Sequence, residues 1–296
     1  MLKLENLSVF EFQNKFKSES DCYEYLMELK WANKEFECRR CGNDNACRGN
    51  GEYIKKCTRC GYQESATAHT TFHKCKFSII KAFWIVYFVS TTKCGISSYE
   101  LSRKLDLRRK TCWLFKRKIM EAMQSSESQP MEGKVEVDEF VVGQKESGVK
   151  GRKSVNKKKV VIAIERKDKG VSRIYARHID KASKKEILPF MRTHIDKMAE
   201  VVTDGWSAYR NIEDDFPNHV VHLSEGGKNF DELHRCIMMI KAWIRGTHHS
   251  VKHLQSYLNE YCYRFNRHLM KLGIFENLMS RMMKHPPTPY SVIQYG

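Results

Sequence analysis

Apolar positions recur at helical spacing through most of the first 123 residues and give way beyond residue 134 to short β-rich runs. Ser18 to Asp21 supplies N-cap residues ahead of Cys22, Tyr25, Leu26 and Leu29, so a helix is expected there, to about Trp31. From Phe36 to about Gln63 the periodicity fades and Cys, Gly, Asn and Arg dominate, as where a metal rather than an apolar core holds the chain. Ile79 to Val89 predicts an apolar helix, broken at Gly95. Ser97-Ser98-Tyr99-Glu100 reads as a capping box opening a short helix that ends near Asp106. A third helix, Arg108 to Met123, follows after a few residues, which is helix-turn-helix spacing. The polar stretch QSSESQPMEG, residues 124–133, reads as a linker. Strands are then expected at Val135 to Val142, Lys159 to Ile164, Ser172 to His178, Glu200 to Thr203 and His219 to Leu223. Helices are expected at Lys184 to His194, Phe230 to Ile244, Lys252 to Asn266 and Phe275 to Met283, which together make an α/β layer.

Charge changes this picture from a fold to a partner. The 296 residues hold 52 Lys and Arg against 35 Asp and Glu, a formal net charge of +17, which favours a polyanion and above all nucleic acid. The opening MLKLENLSVFEF lacks the basic and apolar regions of a secretion signal, and no apolar run approaches the roughly 20 residues that span a bilayer, so a cytoplasmic protein without a membrane segment is expected. The eleven cysteines are odd in number; four have metal-site spacing, and the other seven are expected reduced and mostly buried.

Those four are Cys38-x2-Cys41 and Cys57-x2-Cys60, two CxxC knuckles fifteen residues apart, each followed by a glycine, Gly42 and Gly61. Four thiolates at this spacing close a tetrahedral structural zinc site. The helix from Arg108 carries Arg108, Arg109, Lys110, Lys116, Arg117 and Lys118 beside Trp113, Leu114, Phe115 and Ile119, and so is expected to set a cationic face on DNA phosphates and base edges. In VEVDEFVV the acids Glu136 and Asp138 fall on the strand face opposite Val135 and Val137, a costly position unless they bind something. Asp204, in VVTDGWSAY, ends a short strand just before a Gly turn, where α/β sheets place ligand-binding carboxylates. Two strand-borne acids point to a divalent metal. The segment of residues 143–159 holds seven Lys or Arg, among them Lys150, Arg152 and Lys153, and suits either a DNA-contacting hairpin or a solvated loop.

VEVDEF, VVTDGWSAY and LHRCIMMIKAWIRGTHHSVKHLQSYLNEYCYRFNRH together resemble the ISXO-type insertion-sequence transposases, distant relatives of the eukaryotic Merlin elements. The ribbon followed by SATAHTTFHK resembles that family's N-terminal region, and the YLNEYCYRFNRH segment is its most specific signature. The resemblance implies a ribonuclease-H-like fold with a DDE/D-type site in which two acids and a third helical residue hold divalent ions. Carried onto this chain they are Asp138, Asp204 and His234, with Lys241 two turns further along the helix. Many members have Glu or Asn at the third position, so a histidine here implies weaker Mg²⁺ binding, a preference for Mn²⁺, and loss of metal in mild acid. Glu232, Asp231 and Glu260 are the alternative third ligands.

The expected organisation is N-terminal helices and zinc ribbon (1–75), a helix-turn-helix DNA-binding domain (76–128) and a ribonuclease-H-like catalytic domain (129–296). The expected protein is a prokaryotic, nucleoid-associated transposase that holds structural Zn²⁺ and catalytic Mg²⁺ or Mn²⁺. It pairs double-stranded DNA ends as a homodimer or higher oligomer and joins them to target DNA. A DNA-binding regulator with an inactive catalytic domain, or a structure-selective nuclease, are the rival readings.

Overall fold

A computed structural model describes residues 7–32, 36–143, 157–168, 170–223, 228–249 and 251–295. The chain forms two compact units, one from Met1–Met123 together with Met270–Gly296, the other from Gln124–Leu269.

The first unit opens with α1 (Val9–Lys15) and α2 (Glu19–Met27), each started by a serine in a reciprocal capping box, Ser8 with Glu11 and Ser18 with Asp21. Three short antiparallel strands follow in the order β1 (Ala46–Arg48), β2 (Ile54–Cys57), β3 (Gln63–Ser65). Among the described residues the apolar cluster around them has three buried members, Phe36, Cys38 and Cys57, too small a core to hold such strands unaided. The helix α3 (Ile79–Thr91) is apolar on nearly every side, with Phe83, Ile85, Val86 and Val89 inaccessible to solvent, and forms the centre of the unit. Then come α4 (Ser98–Leu105), where Ser97 accepts from the Glu100 N–H, and α5 (Arg109–Ala122). The three residues between them turn at Asp106, which takes left-handed backbone (φ 48°), a conformation that Asp tolerates better than most residues.

In the second unit β4 (Lys134–Val142), β5 (Lys158–Lys167) and β6 (Gly170–Ile179) form an antiparallel meander. The chain then crosses over through α6 (Lys184–His194) to β7 (Glu200–Thr203), which pairs parallel with β4, and on to β8 (His219–Val221), parallel to β7. The sheet order is β6-β5-β4-β7-β8. β5 and β6 run past their expected ends because hairpin pairing carries the charged residues Glu165 to Lys167 along with the apolar run. One face packs Val135, Val137, Val161 and Val201 against Ile187, Phe190 and Met191 of α6. The other packs Phe140, Val142, Ile162 and Val202 against α7 (Asp231–Trp243) and α8 (Leu254–Phe265), which are joined by a π-helical turn at Ile244–His248. The outer edge of β6 is satisfied by α8 side chains: Gln255 Oε1 accepts from the His178 N–H, and Asn266 bonds both backbone groups of Ile174.

The chain then returns to the first unit with α9 (Ile274–Lys284) and α10 (Tyr290–Tyr295). α9 sets Phe275 edge-on to Phe12, ring centroids 5.5 Å apart, and Arg281 Nε donates to the Ala122 carbonyl at 2.9 Å. Among the described residues no helix is long and apolar enough to cross a membrane.

His194 ends α6 buried, stacked on Tyr175 and against Phe190, and burial pushes its imidazole down to about 4, with the Arg177 charge adding to the shift. In the unfolded chain the ring titrates at its ordinary value of 6.5, so above that pH neither state is charged. Between about pH 6.5 and 4 only the unfolded chain takes up the proton, and stability falls across that window by about 3 kcal/mol. Urea denaturation at stepped pH should show this fall in the wild type and a flatter profile in His194→Gln.

Candidate metal centres

The two CxxC knuckles converge. Cys38 and Cys60 Sγ atoms lie 3.5 Å apart, Cys41 and Cys57 3.6 Å apart, and all four within 4.8 Å of one another. A tetrahedral site with metal–sulfur bonds of about 2.3 Å needs sulfur separations of about 3.8 Å, so the four side chains fit a zinc ion as they stand. Each knuckle closes on itself: the N–H groups of Gly42 and Gly61 donate back to the carbonyls of Cys38 and Cys57. Both glycines are left-handed, at φ 68° and 72°, which explains their place after each second cysteine. Burial acts to raise the Cys57 thiol, but backbone N–H groups of Cys60 and Arg59 and the neighbouring thiols outweigh it and hold it at about 6. Cys41 goes the other way: the Asn43 backbone N–H lowers it, but burial and hydrogen bonds with the other three thiols outweigh that and push it up to about 12, so within the set Cys57 is the thiol held toward its thiolate.

In the second unit Asp138 pairs across the ladder with Ile162, which belongs to the α7 face of the sheet, so Asp138 shares that face. The parallel register runs Lys134 with Glu200, Val135 with Val201 and Glu136 with Val202. Continued by two residues it sets Asp138 level with Asp204, just past the end of β7. Each carboxylate has an oxygen held by a backbone N–H, Asp138 Oδ1 by Glu139 at 2.7 Å and Asp204 Oδ1 by Trp206 at 3.0 Å. Gly205 between them in the turn is needed twice over, for its φ of 78° and because a Cβ there would meet Val221 Cγ1 at 2.9 Å.

Beneath the pair, on the opposite face of β4, the Tyr209 hydroxyl donates to Glu139 Oε2 at 2.7 Å. Burial, then the charge and hydrogen bond of Glu139, then the charges of Asp138 and Asp204, all hold the phenol well above its ordinary range, so both acids lie near it. The sequence carries a signal for this bond that its reading missed: Glu139 is a charged residue in the apolar phase of Val135 and Val137.

Lys241 is half-buried on α7 with Nζ 5.3 Å from the centre of the Phe140 ring. Burial lowers its ammonium and the Asp138 carboxylate draws it back up, which sets Lys241 beside that acid. His234 is exposed on the same flank of α7, seven residues earlier. Among the described residues the cysteine set is the one group of three or more possible ligands converging within 4.8 Å, so Asp138, Asp204 and His234 do not close to that distance. Burial raises the Glu136 carboxyl, Arg166 and Lys134 oppose it, and Glu232 and Asp231, in the first turn of α7, lie close enough to add to the rise. Glu260 is fully buried in α8, with Arg264 Nε of the same helix at 3.2 Å and His248 Nε2 of the preceding π-helical turn at 3.7 Å.

Of the basic residues, Arg108, Arg109 and Lys110 are exposed at the start of α5. Lys116 and Arg117 are not part of that face: both are 5% exposed, Lys116 Nζ donating to the Ile96 carbonyl at 2.7 Å and Arg117 approaching Glu121 at 3.9 Å. Their positions fall in the helical phase of the core residues Cys112, Ile119 and Met120, and long stems let the charged ends reach backbone and carboxylate oxygens. Lys150, Arg152 and Lys153 lie outside the described residues.

The family model of the ISXO2-like transposase domain matches residues 130–266, and that of the transposase zinc-ribbon domain matches residues 17–63. No individual curated protein matches the chain significantly. Zinc retention gives a direct check on the ribbon: purified protein should carry one zinc per chain by elemental analysis, and Cys57→Ser should lose it together with the order of β1 to β3. With both domains matched in sequence order over more than half of its length, the chain belongs to the IS1595 family of insertion-sequence transposases.

Proposed function

We propose that this protein is an active DNA transposase that binds the terminal repeats of its element, cleaves at the ends and joins the freed 3′ hydroxyls to target DNA. The observation that carries this reading is the parallel β4–β7 register, with Asp138 and Asp204 at its end on the face covered by α7. A sheet of three antiparallel strands extended by two parallel ones, with helices on both faces, supports a ribonuclease-H-like catalytic domain. Asp138 and Asp204 would hold divalent metal with a third group from α7. His234 is that group by the family spacing; Asp231 and Glu232 are its carboxylate rivals. Mg²⁺ or Mn²⁺ bound there would ease deprotonation of the attacking water or hydroxyl and offset charge on the leaving oxygen. Lys241 beside Asp138 is placed to hold a substrate phosphate and orient the scissile bond.

The α4–α5 pair, joined by its three-residue turn, is read as a helix-turn-helix whose exposed Arg108, Arg109 and Lys110 face DNA, and the ribbon as a second DNA contact. Engagement of two DNA ends calls for at least a homodimer.

Incubation of the zinc-loaded protein with end DNA and a plasmid target in Mg²⁺ or Mn²⁺ should yield joined products, reduced at least about 100-fold in Asp138→Ala and Asp204→Ala. Cleavage without joining would replace this reading by a nuclease, and binding without either reaction by a regulator. For DNA affinity, Arg109→Ala should lower the slope of log K against log salt by about one. Lys116→Met should change the melting temperature and leave that slope alone.

A further inference from the structure

We propose that Tyr209 and Glu139 are a positioning latch that fixes Asp204 against Asp138. The proposal rests on reading those two aspartates as a metal pair. Glu139 follows Asp138 in β4, and Tyr209 lies five residues beyond Asp204 at the end of a 3-10 turn, Ser207–Tyr209. Their hydrogen bond links the side chains of these two segments at 2.7 Å, between residues only 1% and 8% exposed.

From the bond, the connection to each acid is short and stiff. Toward Asp138 it passes through Glu139, whose own N–H holds Asp138 Oδ1. Toward Asp204 it passes through the turn, where the Tyr209 N–H donates to the Trp206 carbonyl at 2.9 Å and the Trp206 N–H holds Asp204 Oδ1. Gly205 closes that turn against Val221. Both carboxylates are therefore oriented by backbone donors belonging to segments that the latch ties together.

The chemistry argues for positioning over core filling. Glu139 and Tyr209 sit within an apolar cluster that includes Val135, Val137, Ile187 and Phe190, and a Leu–Phe pair would fill the same space without burying a carboxylate. A directional bond instead defines one arrangement of strand and turn. It also keeps both aspartates on the opposite face, open toward α7. Outer-shell groups of this kind set the affinity of metal sites without touching the ion.

The test is Mn²⁺ titration of the full-length, zinc-loaded protein, followed by the electron paramagnetic resonance of free Mn²⁺, with melting temperature and zinc content measured on the same samples. Tyr209→Phe, which removes only the hydroxyl, should weaken Mn²⁺ binding about tenfold. Glu139→Leu should do the same. Glu139→Gln keeps a carbonyl to accept the phenol and should stay within about threefold of wild type. The double variant Tyr209→Phe with Glu139→Leu should bind no more than about twofold worse than either single one, because the same bond is lost in each. A Tyr209→Phe protein that melts earlier but binds Mn²⁺ as the wild type does would reduce the bond to a core contact and overturn the proposal. Additive losses in the double variant would overturn it as well. Wild-type Mn²⁺ binding that survives Asp138→Ala would instead remove the metal-pair reading, and the latch with it.

Discussion

The parallel pairing of β4 with β7 is the constraint from which the second unit follows. Parallel neighbours cannot be joined by a tight turn, so the chain must make a long excursion between them. Here that excursion is the β5–β6 meander and the crossover helix α6, which covers one face of the sheet. The opposite face is left to α7 and α8, and the C-terminal ends of β4 and β7 open toward α7. Asp138 in the middle of β4 and Asp204 just past β7 need no special folding of their own; they inherit a common level from the register.

The first unit solves a different problem. Its aromatic centre, in which Phe275 meets Phe12, Phe16 and Phe83, is large enough to stand on apolar burial. The ribbon is not, and relies on its sulfurs and on buried charge. Lys30 Nζ sits 2.7 Å from Glu64 with both groups shielded, and the same ammonium donates to the carbonyls of Ser65 and Ala68. Burial lowers that ammonium while Glu64 supports it, so the ion pair is sustained by its three acceptors together rather than by charge alone.

Legibility in the sequence followed the range of the interaction. The zinc set was readable because its four ligands lie in two local motifs, and each helix of the second unit was readable because periodicity over a turn or two is a local property. Asp138, in mid-strand, stood out by its phase, and Asp204, at a strand end, by the glycine turn. Lys116 and Arg117 were grouped with Arg108 to Lys110 because adjacency in a cationic run hides helical phase, and only the packed helix reveals which stems point inward. The Glu139–Tyr209 bond spans 70 residues, so no window on the sequence contains both partners. The same distance argument applies to α9, whose pattern announces an amphipathic helix but not that Phe275 meets Phe12.

Because one compact unit is threaded from both sides of the other in sequence, the order of synthesis on the ribosome differs from the order in which the units can be completed. Residues 124–269 are all made before α9 and α10. The earlier-made segment carrying the ribbon and the α4–α5 pair must wait for α9 to bring Phe275 and Arg281 to it. A chain ended before α9 would hold the strands β4 to β8 but lack part of the first unit's aromatic cluster. The first unit thus has its aromatic centre complete only once α9 has been made, so a frameshift or stop codon ahead of residue 274 would remove Phe275 from Phe12, Phe16 and Phe83.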